Sequence, residues 1–258
     1  MGIIKSGGIV IDAKESGETS KLAEIFTEQF GLMKVLAKGA RRPESRFGAA
    51  TEPLTLIQGV YYVKEDNGIA NLSAADIVSP FQHTHDDINK YSYGSAWAEI
   101  LVSNLPYSEP QKRLYSVFHQ ALKDLEDIPD EQVEKFFWAY ALKFIALLGY
   151  RPEFMICSGC SVGKSDDWMF SVENGRLYCK QCSQSLRDSL FMRLDSGETR
   201  ILSVFSTADR TVLERITIDE KQMKTVRDVI EGFRRYHIQP EGELKSLQFR
   251  EKINKKND

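Results

Sequence analysis

Alternation marks the first 80 residues of the chain, and a three-to-four-residue periodicity marks most of the remainder. Gly8-Ile9-Val10-Ile11-Asp12 is a short apolar run that predicts a first strand. From Leu32 to Lys38 the pattern alternates, with Lys34, Leu36 and Lys38 on one face and Met33, Val35 and Ala37 on the other. Leu54 to Val63 is long, β-branched and aromatic, and Glu65-Asp66-Asn67-Gly68 turns it into Ile69-Ala70-Asn71-Leu72 as a hairpin. Several short strands with glycine-bearing turns in so short a span predict a small barrel. Residues 16–31 admit two readings. Ser16-Gly17-Glu18-Thr19-Ser20 ahead of Leu22, Ile25 and Phe26, with Gly31 beyond, has the form of a capped helix, yet Leu22, Glu24 and Phe26 would also share one side of a strand.

Helical spacing takes over beyond residue 80. Ser108-Glu109-Pro110 is expected to open a helix carrying Leu114, Val117, Phe118, Ala121, Leu122 and Leu125. Asp130 is expected to cap the next, which carries Val133, Phe136, Phe137, Tyr140, Phe144 and Leu148 and ends at Gly149 and Pro152. Its apolar run is too short to span a bilayer and contains Lys143, so it reads as a buried central helix. Asp219 opens another, with Met223, Val226, Ile230 and Phe233, and the stretch from Glu243 to Lys256 is short, basic and weakly amphipathic. The expected divisions are a strand-rich domain over 1–80, helix over 81–153, a cysteine module over 154–185, and helix plus basic tail over 186–258.

The four cysteines of the chain fall as Cys157-x-x-Cys160 and Cys179-x-x-Cys182. Each CxxC turn aims two thiolates at one point, and two such turns supply the closed four-sulfur shell that Zn2+ prefers. Between them Trp168-Met169-Phe170-Ser171-Val172, Glu173-Asn174-Gly175 and Arg176-Leu177-Tyr178 read as strand, turn and strand. The alternative is a pair of disulfides. Met1 to Gly8 has no apolar core of the kind a secretory signal needs, which favours reduced thiols and a metal. A four-thiolate shell leaves no open position for water, so the expected ion is structural, and a zinc hydrolase is disfavoured.

The 258-residue chain has a formal net charge of −3, so global charge does not point to a polyanionic partner. Local charge does. Lys34, Lys38, Arg41, Arg42 and Arg46 face a single acid, Glu44, between residues 34 and 46. The residues alone leave two readings open, a solvated basic loop or a phosphate-contacting patch. Tyr61 and Tyr62 lie on alternate faces, so one could be exposed for base stacking, though core tyrosines are commoner. No GxxxxGK[ST] loop, GxSxG elbow or acid–base constellation is present, and His83, His85, His119 and His237 have no matching ligand set. The expectation is a non-enzymatic protein whose activity needs no nucleotide.

Taken in order, Phe26-Thr27-x-x-x-Gly31, Ala37-Lys38-Gly39-Ala40-Arg41-Arg42, Ser45-Arg46, Leu148-Gly149-Tyr150-x-Pro152, the CxxC pairs and Leu244-Lys245-Ser246 resemble the RecO family of bacterial DNA repair and recombination mediators over essentially the whole chain. The resemblance implies an α+β multidomain protein: an N-terminal OB-fold β-barrel, then a helical domain carrying a four-cysteine zinc module. It favours strand over helix for Thr19 to Thr27. It further implies a cytoplasmic, nucleoid-associated protein that binds single- and double-stranded DNA and anneals complementary strands. Such a protein works with RecR, contacts the C-terminal tail of single-stranded DNA-binding protein, and helps load RecA onto coated single strands. On this reading Lys34, Lys38, Arg41, Arg42 and Arg46 form the nucleic-acid site, and Cys157, Cys160, Cys179 and Cys182 hold one structural Zn2+. The rival expectation is an OB-fold and zinc-ribbon RNA-binding factor of translation or ribosome assembly.

Overall fold

One long strand closes the N-terminal barrel by serving two neighbours in succession. The computed structural model describes residues 2–63, 68–186, 190–238 and 242–257. In it β1 (Gly2–Ser16) pairs over Gly2 to Ile9 with β4 (Leu56–Val63), and over Gly8 to Ser16 with β2 (Ser20–Thr27). A register shift between Val10 and Asp12 bends β1 where it passes from one partner to the other, as bulges do at barrel corners. β3 (Gly31–Ala37) runs antiparallel to β2 and parallel to β5 (Ile69–Ser79), which returns to β4. The strand order β1-β2-β3-β5-β4 is a closed barrel, the architecture expected from the alternation.

Inside it Val10, Ala23, Ile25, Met33, Val35, Ala37, Ile57, Tyr61, Ala70 and Leu72 form one apolar cluster. The alternation of β3 is therefore as predicted, with Lys34 and Leu36 facing outward. The ambiguous segment is strand. Ala23 and Ile25 fill the barrel, while Phe26 on the opposite face meets Tyr115 edge-on at 5.5 Å. Burial on both faces breaks the strict alternation that a half-solvated strand shows, and this is why the segment imitates a helix. Leu54 corrects the sequence reading: it lies outside β4 with φ 63°, and its amide donates to Val10 O at 2.7 Å. Glu65, Asp66 and Asn67 of the expected turn fall outside the described residues.

Helices α1 (Gln82–Asp86), α2 (Ile88–Val102) and α3 (Lys112–Asp127) come next. The last begins two residues beyond the expected Pro110 start and has no side-chain cap. Asp130 does not cap the next helix. Asp130–Gln132 is a 3-10 turn, and α4 (Val133–Leu147) starts after it. Then come β6 (Trp168–Ser171), β7 (Arg176–Cys179), α5 (Lys180–Ser183), β8 (Phe191–Leu194), α6 (Ser196–Thr207), α7 (Arg210–Arg215), α8 (Glu220–His237) and α9 (Lys245–Asn257). Asp219 caps α8 as expected, in a reciprocal pair with Gln222, and Asp195 does the same for α6 with Glu198.

Two compact units result: Met1–Asp130 with Leu244–Asp258, and Glu131–Glu243. In the second, α6 and α8 pack on α4, whose Phe136, Phe137, Phe144 and Ile145 are fully buried. Among the described residues no helix is long and apolar enough to cross a membrane.

Candidate nucleic-acid interface and metal centre

The basic block is carried on a connection made rigid from inside. After β3, the amides of Ala40, Arg42, Ser45 and Gly48 donate in turn to the carbonyls of Ala37, Gly39, Arg42 and Ser45, at 3.0–3.4 Å. Ala40, Phe47 and Ala50 insert into the barrel core. With the apolar residues turned in, the cations between them must point out. Lys38, Arg42 and Arg46, with Gly39, Pro43, Glu44, Ser45 and Phe47, line one open cavity of about 630 Å³.

The five predicted cations do not all converge. Arg46 is oriented by its bond to Ser73 O at 2.9 Å and lies over the Phe47 ring at 4.9 Å. The side chains of Lys38 and Arg42 are exposed and, among the described residues, have no hydrogen-bond or ion-pair partner. Arg41 turns instead toward the β1–β2 hairpin, pairing with Glu15 at 2.9 Å and donating to Gly17 O and Glu18 O. Lys34 lies over the Tyr107 ring at 4.5 Å, opposite Glu24 on β2. The Tyr107 hydroxyl donates to Glu24 at 2.5 Å, and burial together with that bond pushes its pKa up to about 12. Three predicted residues therefore share a surface and two are engaged elsewhere. Sequence reasoning missed Phe47, whose burial accompanies the outward aim of the cations before it; its place directly after Arg46 was the available signal. Tyr61 is buried in the barrel and so is no stacking platform, whereas Tyr62 is half-buried.

The cysteines meet as the spacing predicts. β7 ends on Cys179, α5 carries Cys182, and the Cys157 turn is tied to the hairpin by Ser158 N donating to Leu177 O at 2.8 Å. Ligand atoms of Cys157, Cys160, Cys179 and Cys182 all lie within 4.8 Å of one another. A tetrahedron with metal–sulfur bonds of about 2.3 Å has edges of about 3.8 Å, and Cys160 and Cys179 sulfurs are 3.8 Å apart. The donor set therefore fits one four-coordinate ion. Backbone amides complete it: Gly159 N and Cys179 N donate to Cys157 Sγ at 3.4 and 3.3 Å. Burial works against ionisation of Cys157, but the amides of Cys179, Cys160 and Gly159 outweigh it and hold the thiol down at about 6. A Cβ on Gly159 would stand 2.8 Å from Cys182 Sγ, so only glycine lets the first turn close on the second.

The hairpin is not a free-standing finger. β8 adds a third strand on the far side of β6, and Phe170 packs against Phe154 at 5.0 Å and Phe233 of α8 at 5.9 Å. Of the basic residues near the cysteines, Arg176 is paired with Glu153 at 2.5 Å. The histidines are dispersed. Both ring nitrogens of His85 face carbonyls, those of Phe81 and Pro53, His237 faces Val172 O, and burial with nearby Lys123 lowers the pKa of His119.

Two family models match the chain: Recombination protein O N terminal over residues 1–81, and Recombination protein O C terminal over residues 85–248. Relatives named DNA repair protein RecO match most of its length. The one from Caldanaerobacter subterraneus is 28% identical over 254 residues, 98% of this chain and 99% of its own. That from Oceanobacillus iheyensis is 29% identical over 226 residues, 88% of this chain and 85% of its own. A third, from Thermodesulfovibrio yellowstonii, is 29% identical over 218 residues, 83% and 84% respectively.

Proposed function

This chain belongs to the RecO family, and from that premise we propose that it is a DNA repair and recombination mediator working by binding rather than by chemistry. The observation that carries the reading is the convergence of Lys38, Arg42 and Arg46 on one open cavity of a closed barrel. Cations carried on a rigid backbone connection can neutralise phosphates at the cost of side-chain freedom alone, and arginine matches phosphate with a planar, two-pronged donor. A protein that holds two strands while lowering their mutual repulsion promotes pairing of complementary bases with no nucleotide consumed. We place DNA binding in the 1–80 barrel, with Lys34 and Arg41 as peripheral charges. The helical parts (81–153 and 186–258) and the 154–185 module serve as the platform for RecR and the tail of single-stranded DNA-binding protein, and so for RecA loading.

Zn2+ is the ion that Cys157, Cys160, Cys179 and Cys182 would hold, and when bound it would cross-link two turns that have little apolar core of their own. The residues themselves supply the orientation: amides brace Cys157, and the Phe170 contacts fix the hairpin to the helices.

The test is annealing of complementary DNA oligonucleotides coated with single-stranded DNA-binding protein, by the native chain and by Lys38→Glu/Arg42→Glu. The expected result is loss of annealing with an unaltered melting temperature. Annealing that survives the double reversal of charge would overturn the reading, and preferential binding of structured RNA would replace it with the ribosome-factor alternative.

A further inference from the structure

Helix α9 shows an arrangement that packing does not explain. Its one aromatic residue, Phe249, faces solvent at 56% exposure. The side facing α2 is held largely by polar contacts. Glu99 of α2 accepts from the amides of Lys245 and Ser246, both at 2.8 Å, and Arg250 lies over Tyr93 at 4.3 Å. With Leu244 buried beside them, these contacts fix which face of the helix looks outward. On that outward face Lys245, Phe249 and Lys252 are all exposed. Their spacing of i, i+4 and i+7 puts them in one stripe about 10 Å long. The sequence Lys245–Asn257 has five basic residues against one acid, Glu251, which helical geometry sets away from the stripe.

We infer that the Lys245–Phe249–Lys252 face of α9 is a second nucleic-acid contact, specific for single strands, in which the phenyl ring stacks on an unpaired base and the two lysines engage flanking phosphates. An exposed ring on a cationic surface is costly as packing and useful as a platform, because every base offers a π-face and every phosphate a charge. Duplex bases are already stacked, so the ring gains nothing from them. The charge of the stripe suits a polyanion, whereas an apolar protein partner would leave both lysines without counter-charge. The inference rests on the nucleic-acid-binding reading but not on the barrel cavity, since it uses none of the same residues.

The experiment measures binding of the full zinc-loaded chain to oligothymidylate, to a blunt duplex and to anionic phospholipid vesicles. Phe249→Leu keeps an apolar side chain and loses the ring, and Phe249→Trp keeps the ring. The leucine variant should bind oligothymidylate about tenfold more weakly with duplex affinity unchanged, and the tryptophan variant should bind as the native chain does. Lys245→Gln/Lys252→Gln should reduce the single-strand salt slope by about 0.7 per lysine. Native-like binding by Phe249→Leu overturns the inference, as does equal loss on duplex, or a loss confined to vesicles. Lys38→Glu/Arg42→Glu separates the two readings. If it alone loses oligonucleotide binding, the α9 contact falls and the cavity stands. If only the Phe249→Leu chain loses it, the cavity falls and α9 stands.

Discussion

Glu99 and Ser246 lie 147 positions apart and are joined directly: the Glu99 carboxylate accepts from both the amide and the hydroxyl of Ser246, and from the amide of Lys245 as well. One carboxylate thus satisfies two of the four amides that the start of α9 leaves without helical partners. The Leu244-Lys245-Ser246 block becomes intelligible on this basis. Leu244 is the buried anchor, and Ser246 supplies a side-chain donor as well as an amide. Glu99→Ala should therefore free α9 before it unfolds anything else. Hydrogen exchange should show the amides of Lys245 and Ser246 losing protection, with a stability loss of about 1.5–3 kcal/mol, the usual range for hydrogen bonds to a charged group. Unchanged protection there would show that Leu244 and Arg250 hold the helix alone.

Gly31 carries a heavier constraint. It sits at φ 69°, and a Cβ there would lie 2.0 Å from the carbonyl oxygen of Glu109. Thr27 Oγ1 donates to Gly31 O at 2.9 Å and accepts from Phe30 N at 3.1 Å, so Thr27-x-x-x-Gly31 is a turn locked at both ends. Gly31→Ala should cost several kcal/mol because strain and backbone collision combine, each of order 1–3 kcal/mol. Thermal unfolding should show the loss, and Gly31→Asn, which tolerates the left-handed region but not the collision, should rescue little of it.

Tyr61 calls for the opposite change. Its ring fills the barrel and, among the described residues, its hydroxyl has no hydrogen-bond partner. Burial, with Tyr115 nearby, also raises its pKa. An unsatisfied buried hydroxyl costs roughly 1–3 kcal/mol, so Tyr61→Phe should leave the melting temperature unchanged or raise it. A clear drop would mean that an ordered water or another partner serves the hydroxyl.

How legible these features were depends on what each one rests on. The cysteine cluster could be read from spacing because two CxxC turns and a short hairpin leave few ways to fold. The alternation of Met33, Val35 and Ala37 was legible because one face is dry and the other wet. The conflict over residues 16–31 arose because Phe26 is covered by Tyr115 of α3, a contact no local window contains. For the same reason β8 went unseen: Phe191 to Leu194 becomes a strand only by adding to β6. Of the cations, proximity in sequence could not separate Arg41, drawn off by Glu15, from Arg42 beside it.

Metal removal should act on the second unit first. Chelation should release the ion from the four sulfurs and weaken the β7-β6-β8 sheet, whose Phe170 is shared with Phe154 and Phe233. Gly159→Ala should give a milder version, since its Cβ would crowd Cys182 Sγ at 2.8 Å. A chromogenic zinc assay under partial denaturation should show earlier release from that variant than from the native chain. Cys157→Ser should release the ion without any denaturant.

The sharpest separation concerns neighbouring arginines. Arg42 lines the open cavity, whereas Arg41 already has Glu15 and two carbonyls as partners. On duplex DNA the log–log salt slope changes by about 0.9 for each phosphate contact removed. Arg42→Gln should lower the slope by about that amount, and Lys38→Gln by a similar step, roughly additively as expected for contacts to separate phosphates. Arg41→Gln should leave the slope nearly unchanged while loosening the β1–β2 hairpin, visible as faster exchange of the Arg41 amide, which donates to Thr19 O at 2.9 Å. Equal slopes for Arg41→Gln and Arg42→Gln would mean that DNA approaches from the hairpin side, and the interface would then have to be redrawn around Glu15 rather than around Arg46.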